Sequence, residues 1–389
     1  MPNRLVRSAT WDPSFLVERR MTEPIEGLYR QLAAGGVGLI ITGSLAVMTD
    51  SDMAEADEQY TTTSYERVRI AGIGRLLEAV RHTSPQCRVV AQISPHYPAG
   101  SPSAIPPIFK IGRTSPMTSR QIRTMVGCLV NAIAGLAAEG FDGVQLHAAH
   151  GGLLSQFLSP YSNRREDDYG GSLENRTRLF REVVAGARAQ VGDFPILIKL
   201  NSTDDVVGGI DAGSFPGLAK AIERCGFDAI EVSGGMWECL ARSEAELGYR
   251  PVPMPEAHTH LRLPEKQSYY LKAAESLALS IPVISVGGHR DVERLEGIVQ
   301  RGKVAFISLC RPLISEPGLP QRWREGRGSS GTDCISCNAC AYDMYTQVDR
   351  EAPWLAHCLV KTDRGRFREA QRWLRDWRRE NVIDGQLRG

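Results

Sequence analysis

The amino-acid sequence predicts an α/β fold, a (β/α)8 TIM barrel, and three observations carry that reading. Eight short apolar runs, rich in β-branched residues, recur along the 389 residues, each followed by a segment of helical period. The runs are near-continuously apolar rather than alternating, as suits parallel strands buried on both faces. Several end in polar side chains, and strand ends are where such barrels carry their chemistry.

In order the runs are RLVRSA (4–9), VGLIITGS (37–44), RVVAQIS (88–94), FDGVQLHA (141–148), FPILIKLN (194–201), FDAIEVSG (227–234), IPVISVGG (281–288) and VAFISLC (304–310). The helical partners lie between them. Residues 119–140, for instance, place Ile122, Met125, Val126, Leu129, Ile133 and Leu136 three and four apart, and the period stops at Gly140. Two connections break the repeat: residues 97–117, rich in Pro, Ser and Gly, and residues 236–266. Both follow strand ends, so both are candidates to cover a site at the barrel mouth. Beyond Pro312, residues 364–381 set Phe367, Ala370, Trp373, Leu374 and Trp377 on one helical stripe. That stripe reads as a packed terminal helix, with a membrane-surface or partner helix as the alternative. The expected division is a barrel over 1–325 and a cysteine-containing segment with an amphipathic helix over 326–389, packing on the barrel.

Composition excludes several classes. Lys plus Arg is 46 against 45 for Asp plus Glu, a formal net charge of +1, so no broad field recruits nucleic acid or an anionic membrane. The first residues carry no apolar signal core, and no stretch approaches the roughly 18 uninterrupted apolar residues of a span. A cytoplasmic protein is expected, and its nine cysteines do not read as a disulfide scaffold. The G-x-S-x-G, H-E-x-x-H and P-loop signatures are missing, as is a dinucleotide-binding fingerprint.

Candidate chemistry gathers at the strand ends: Thr10, Gln92, the pair His147 and His150, Lys199, and Ser233. A ring of hydrogen-bonding groups with one fixed cation suits a planar heterocycle with carbonyl oxygens and ring nitrogens, and Lys199 could stabilise negative charge on it. The last two runs close in VGGHR and CRPL. Their glycine turn allows backbone amides to approach an anion, and Arg311 can bind it bidentately. In the tail, Cys334, Cys337 and Cys340 form C-x2-C-x2-C, and Cys358 follows after seventeen residues. Such a set suits a [4Fe-4S] cluster, with zinc or plain reduced thiols as alternatives.

Taken together, NRLVRSAT, GGVGLIITG, AQIS, FDGVQLHAAHG, LLSQFLSPYSNRREDDYGGSLENRTR, PVISVGG and CRPLISEPGLP resemble the Old Yellow Enzyme family of flavin oxidoreductases, in the branch similar to the barrel domain of 2,4-dienoyl-CoA reductase. The resemblance covers nearly the whole chain. It implies a barrel holding FMN at its mouth, with Ser8, Ala9 and Thr10 lining the flavin, Gly43 beside it and Gln92 on the pyrimidine edge. Lys199 would stand near flavin N1 and O2, and Gly287, Gly288, Cys310 and Arg311 would hold the phosphate. His147 and His150 match the pair that binds the activating carbonyl of an enone-type substrate. The implied reaction is reduction of the activated C=C bond, with NADH or NADPH as electron donor.

The chain departs from the pattern in three places. Similar proteins carry a tyrosine after the histidines, the acid that protonates the substrate α-carbon; here the position is Gly152. Water, the substrate itself or another side chain would then supply the proton, with Tyr97, Tyr169, Tyr269 and Tyr270 as candidates. The glycine also widens the cavity, and keeps open a flavin-dependent desaturation or isomerisation; a flavin-free phosphate-binding barrel is the remote alternative. Relatives usually carry further residues before the first strand, so the barrel bottom is expected to be covered by the terminal helix, a second copy or a partner subunit. The third gap between cysteines is shifted, and because the electron-feeding domains of the longer relatives are not part of this sequence, any cluster is expected to be structural, with FMN reduced directly by NADH or NADPH.

Overall fold

The computed structural model describes residues 1–10, 21–47, 72–95, 100–104, 115–346, 356–383 and 386–387. Nine parallel strands form the main sheet: β1 (Leu5–Arg7), β2 (Leu39–Ile41), β3 (Leu45–Val47), β4 (Arg88–Pro95), β5 (Gly143–Ala148), β6 (Ile196–Asn201), β7 (Ala229–Ser233), β8 (Val283–Ser285) and β9 (Phe306–Leu309). β1 pairs with β9 on one side and β2 on the other, and β2 pairs with β4, so the sheet closes on itself. The second apolar run gives β2, and after a bend at Thr42–Ser44 the chain adds a short strand beyond that run, β3. β3 resumes along the upper half of β4, with Leu45 level with Ile93. The (β/α)8 barrel expected from the sequence is therefore the fold.

Period-two alternation divides each strand between two cores. Ile40, Val89, Ala91, Val144, Leu146, Ile198, Leu200, Ile230 and Val232 join the large outer core shared with the helices. Val6, Leu39, Ile41, Val90, Leu197, Ala229 and Ile284 form a second, interior cluster. The runs look uniformly apolar because both faces are buried. The interior face turns polar towards the strand C-termini, at Ser8, Gln92, Gln145, Lys199, Glu231 and Ser308, all buried.

The helices are fixed by local signals. Ser119–Ala138 opens with a reciprocal capping box between Thr118 and Gln121, and the chain leaves it through Gly140 at φ 91°. It is the one described helix long and apolar enough to cross a membrane. Its Ile122, Leu129, Ile133 and Leu136 are fully buried in the outer core, which is the role of a barrel helix. Ser172 caps Leu173–Val191, and Asp291 caps Val292–Gln300.

The stretch 161–171 proves to be a structural clamp. Asn163 Nδ2 donates to the carbonyls of Phe157 (2.7 Å) and Tyr169 (2.8 Å). Arg165 reaches the carbonyls of Pro102 (2.9 Å) and Met117 (2.6 Å) while pairing with Asp167, whose carboxyl it lowers to about 2. A Cβ at Gly170 would stand 2.3 Å from Arg165 Cβ, so only glycine passes there. The clamp ties the loop after β4 to the loop after β5.

The terminal helix Arg364–Asn381 packs Ala370 against Ala339 and Leu359, and Trp377 against Cys239 and Leu240. It lies on the segment that follows β7, at the mouth end of the barrel, and not across the bottom.

Candidate active site

The site is built from neighbouring strand ends. His147 of β5 is level with Lys199 of β6, which is level with Glu231 of β7. Glu231 is fully buried and accepts from Ser8 Oγ (3.0 Å), Ser308 Oγ (2.7 Å) and Gln145 Nε2 (2.9 Å). Lys199 Nζ stands 3.3 Å from Glu231 Oε2 and donates to Ser8 Oγ at 3.1 Å. Gln92 continues the chain by donating to Gln145 Oε1 at 2.7 Å. A carboxylate at this depth is tolerable only with such partners, and this one sets the lysine's position. Glu231 and Gln145 did not stand out in the sequence. Their signal was a polar residue at every second position inside an apolar run, on the face that closure turns inward.

The histidine pair is made by a tight turn. His150 (φ 60°) and Gly151 (φ 77°) are both left-handed, and the turn is held by His150 N donating to Asn201 Oδ1 (3.0 Å) and Gly151 N to Ser155 Oγ (3.1 Å). Glycine suits position 151, because a side chain there would be strained at this positive φ and its Cβ would press on Trp237 Cδ1 at 3.2 Å. Gly152 then caps Leu153–Leu158 in extended conformation. The turn brings the two imidazoles to 5.1 Å between centroids, tilted by 59°. His150 Nε2 lies 2.7 Å from Ser233 Oγ, whereas His147 Nδ1 is buried with no partner. Burial first, then the neighbouring His150 and the Lys199 cation, push the pKa of His147 well below the ordinary histidine value; burial and Lys199 do the same for His150. Both rings are thus neutral, each with one N–H to give.

At the other side of the mouth, Gly287 (φ 103°) and Gly288 (φ 75°) form the turn after β8. The ring of Tyr269 lies against it: a Cβ would meet Tyr269 carbons at 2.8 Å on Gly287 and 2.7 Å on Gly288. Tyr269 stacks on His258, which stacks on Tyr249, at 3.9 and 3.6 Å between centroids. Arg311 donates to the His258 carbonyl (2.8 Å) and to Asn338 Oδ1. Thr10 Oγ1 lies 3.3 Å from Cys310 Sγ. Ala9 packs beside the interior apolar cluster, and Gly43 stands apart at the β2 kink, donating to Tyr29 Oη at 3.3 Å. Of the tyrosines considered as acids, Tyr169 donates to Glu182 Oε2 (3.0 Å) and Tyr269 to the Glu256 carbonyl (2.9 Å). Tyr270 keeps a buried hydroxyl with no partner. Tyr97 lies outside the described residues.

His289, beside the diglycine turn, bonds Ser268 Oγ through Nδ1 and Ser285 Oγ through Nε2, both at 3.0 Å, and burial lowers its pKa to about 4. The unfolded chain takes up this proton near the usual ~6.5 and the folded chain only near 4, so this histidine costs stability as pH falls between those values. The wild type is expected to lose stability across that window more steeply than a His289→Gln variant, as read from urea midpoints at several pH values. Parallel slopes would remove the assignment.

The cysteine loop docks on this face of the mouth. Ser336 (φ 54°) and Asn338 (φ 57°), both buried, point the loop inward: Arg290 donates to Ser336 Oγ, and Asn338 Nδ2 donates to the Ala257 carbonyl at 2.8 Å. Cys310, Cys334 and Cys340 all lie near Arg311, as does Tyr269. Cys337 in turn feels Cys334 and Cys358. Among the described residues no three His, Cys, Asp or Glu side chains are grouped to hold a metal ion, so the structure does not show a cluster on Cys334, Cys337, Cys340 and Cys358.

A closed barrel whose mouth sets two neutral imidazoles beside a buried lysine belongs to the class of barrel oxidoreductases. The family follows from the sequence match: residues 3–330 fit the model of the NADH:flavin oxidoreductase / NADH oxidase family, and the chain belongs to that family, the Old Yellow Enzyme family. It is 32% identical over 361 residues to a metal reductase of Desulforamulus reducens, covering 90% of this chain and 50% of that one. It is 30% identical over 331 residues to an NADH oxidase of Thermoanaerobacter brockii, covering 80% and 46%. The chain thus spans about half the length of these relatives. In fold it resembles a 2-naphthoyl-CoA reductase in complex with 2-naphthoyl-CoA (TM-score 0.75, 22% identity, 94% of this chain and 56% of that one). It also resembles an old yellow enzyme homologue from Zymomonas mobilis (TM-score 0.63, 20% identity, 85% and 90%).

Proposed function

We propose that this chain binds FMN and reduces the activated C=C bond of an α,β-unsaturated carbonyl compound at the expense of NADH or NADPH. The observation that carries the reading is the pair His147 and His150: two adjacent neutral imidazoles, one with a buried ring nitrogen lacking any partner. Buried polar atoms are normally satisfied, so an orphan at a strand end of a barrel marks the place of a ligand atom. Two neutral N–H donors fit a carbonyl oxygen that gains negative charge during the reaction.

The donor chemistry at the mouth suits the cofactor. Ser8, Ala9, Thr10, Gln92 and Lys199 would hold the isoalloxazine, with Gly43 at its edge. Gly287, Gly288, Cys310 and Arg311 would hold the phosphate, with Tyr269 as its neighbour. Bound FMN, once reduced by the nicotinamide, supplies the hydride. The chain's own residues do the rest: His147 and His150 orient the substrate through its oxygen and stabilise charge there. Lys199, fixed by Glu231 and Ser8, would stand where electron density on the ring would be greatest. The names of the relatives, NADH oxidase and NADPH dehydrogenase among them, agree with nicotinamide as donor.

The test uses the purified chain reconstituted with FMN under anaerobic conditions. NADH or NADPH should bleach the flavin, and a cyclic enone should restore its colour with formation of the saturated ketone. Protein that takes up no FMN, or whose reduced flavin ignores enones, sinks the reading. The glycine at position 152 favours a second one, desaturation or isomerisation, which predicts bleaching by substrate without any nicotinamide.

A further inference from the structure

We propose that Glu238 is the acid that protonates the substrate α-carbon, in place of the tyrosine missing at position 152; the assignment rests on the reductase reading above. Glu238 lies in the 3-10 segment Trp237–Ala241, which follows β7 after Gly234 and Gly235. That path lays it over the turn that makes the histidine pair. Trp237 Cδ1 lies 3.2 Å, and Glu238 Oε2 3.7 Å, from the position a Cβ would take on Gly151, the residue between His150 and Gly152. A carboxyl from one strand end thus reaches the turn of another, beside the point where the sequence lacks its hydroxyl.

The state of the carboxyl supports the role. Glu238 Oε2 is buried and has no hydrogen-bond partner. A carboxylate kept for structure at such depth is surrounded by donors, as Glu231 is; an oxygen left without one is explained by a proton or by a ligand. Burial pushes the Glu238 carboxyl above the ordinary carboxylate range against the effect of its own backbone amide, and the nearby Asp204 adds a smaller push upward. The titratable groups facing it are Asp204, Tyr161 and Cys239; the last two are themselves raised in part by Glu238. Tyr270 also has an orphaned hydroxyl, but that hydroxyl stands beside Gly234, 3.1 Å from a Cβ there, and not at the histidine turn.

The step balances as follows. The alkene receives a hydride equivalent at its β-carbon, delivered through the flavin from reduced nicotinamide, and its π electrons move onto the carbonyl oxygen held by His147 and His150. That pair returns to form the bond between the α-carbon and the Glu238 proton as the O–H bond breaks. The carboxylate left behind is reprotonated by water before the next turnover.

The experiment compares wild type, Glu238→Gln and Tyr270→Phe, each loaded with FMN. In Glu238→Gln, reoxidation of the reduced protein by a cyclic enone should slow about 10²- to 10⁴-fold, with flavin reduction by nicotinamide unchanged. A second readout needs no turnover: the infrared difference between wild type and Glu238→Gln, both free of cofactor, should contain the carbonyl stretch of a protonated carboxylic acid, shifted in D2O. Glu238→Gln protein that reoxidises at the wild-type rate overturns the assignment, as does absence of that band. Loss of rate in Tyr270→Phe with Glu238→Gln unaffected overturns it in favour of the tyrosine. Wild-type protein that binds FMN and is reduced, yet whose flavin no enone reoxidises, brings down the reductase reading and the assignment with it. The two failures are therefore distinguishable.

Discussion

Replacing His147 by alanine should slow enone reduction by the FMN-loaded chain about 10²- to 10³-fold, the usual effect of removing one donor from an oxyanion-stabilising pair. The geometry explains why the loss should be large. His147 stands at the end of β5, and its neighbour His150 is tied through Nε2 to Ser233, so His150 does not swing to take over the lost contact. The effect should appear in reoxidation of the reduced flavin and leave FMN binding intact. A His150→Ala variant should behave alike, and the double variant should lose little more than either single, because two donors acting on one oxygen do not add. The pH profile provides a second check. Both rings are already neutral, since their pKa values lie well below the ordinary histidine value, so wild-type reoxidation should show no inflection near ~6.5. Such an inflection, vanishing in His147→Ala, would mean that an imidazolium takes part and that the neutral pair is wrong.

The largest loss of stability is expected from Glu231→Ala. The substitution leaves Lys199 inside the barrel with no counter-charge and strips Ser8, Ser308 and Gln145 of their common acceptor. Breaking a buried ion pair from one side typically costs about 3–5 kcal/mol, whereas exchanging both partners for well-packed apolar groups costs far less. Urea unfolding should therefore place Glu231→Ala well below wild type and the double variant Glu231→Gln, Lys199→Met between them. A single variant that unfolds within about 1 kcal/mol of wild type would show that the lysine finds another partner, and the network would lose its structural role.

How much of this was legible beforehand depends on distance along the chain. The eight apolar runs and the helix at Ser119–Ala138 are set by residues only a few positions apart, and local pattern sufficed to find them; the left-handed turn at His150–Gly151, equally local, was not read from it. The bend that separates β3 from β2 is also local, but period and propensity do not distinguish a bent strand from a straight one. The stretch 161–171 stood out, yet its task was hidden, because Arg165 acts on carbonyls 48 and 63 residues away.

The sequence alone determined that the chain is a barrel, which strands compose it and that a histidine pair, a lysine and a diglycine turn lie at their ends. Only the tertiary structure decided what those residues meet. Ser8, Lys199 and Glu231 span more than two hundred positions and touch because the sheet closes. Glu238 comes to the histidine turn, and Asn338 to Arg311, because long connections fold back across the mouth. Strand and helix periods follow from backbone sterics and are written locally; closure and the paths of loops follow from the packing of the whole chain, and no short window of sequence contains them.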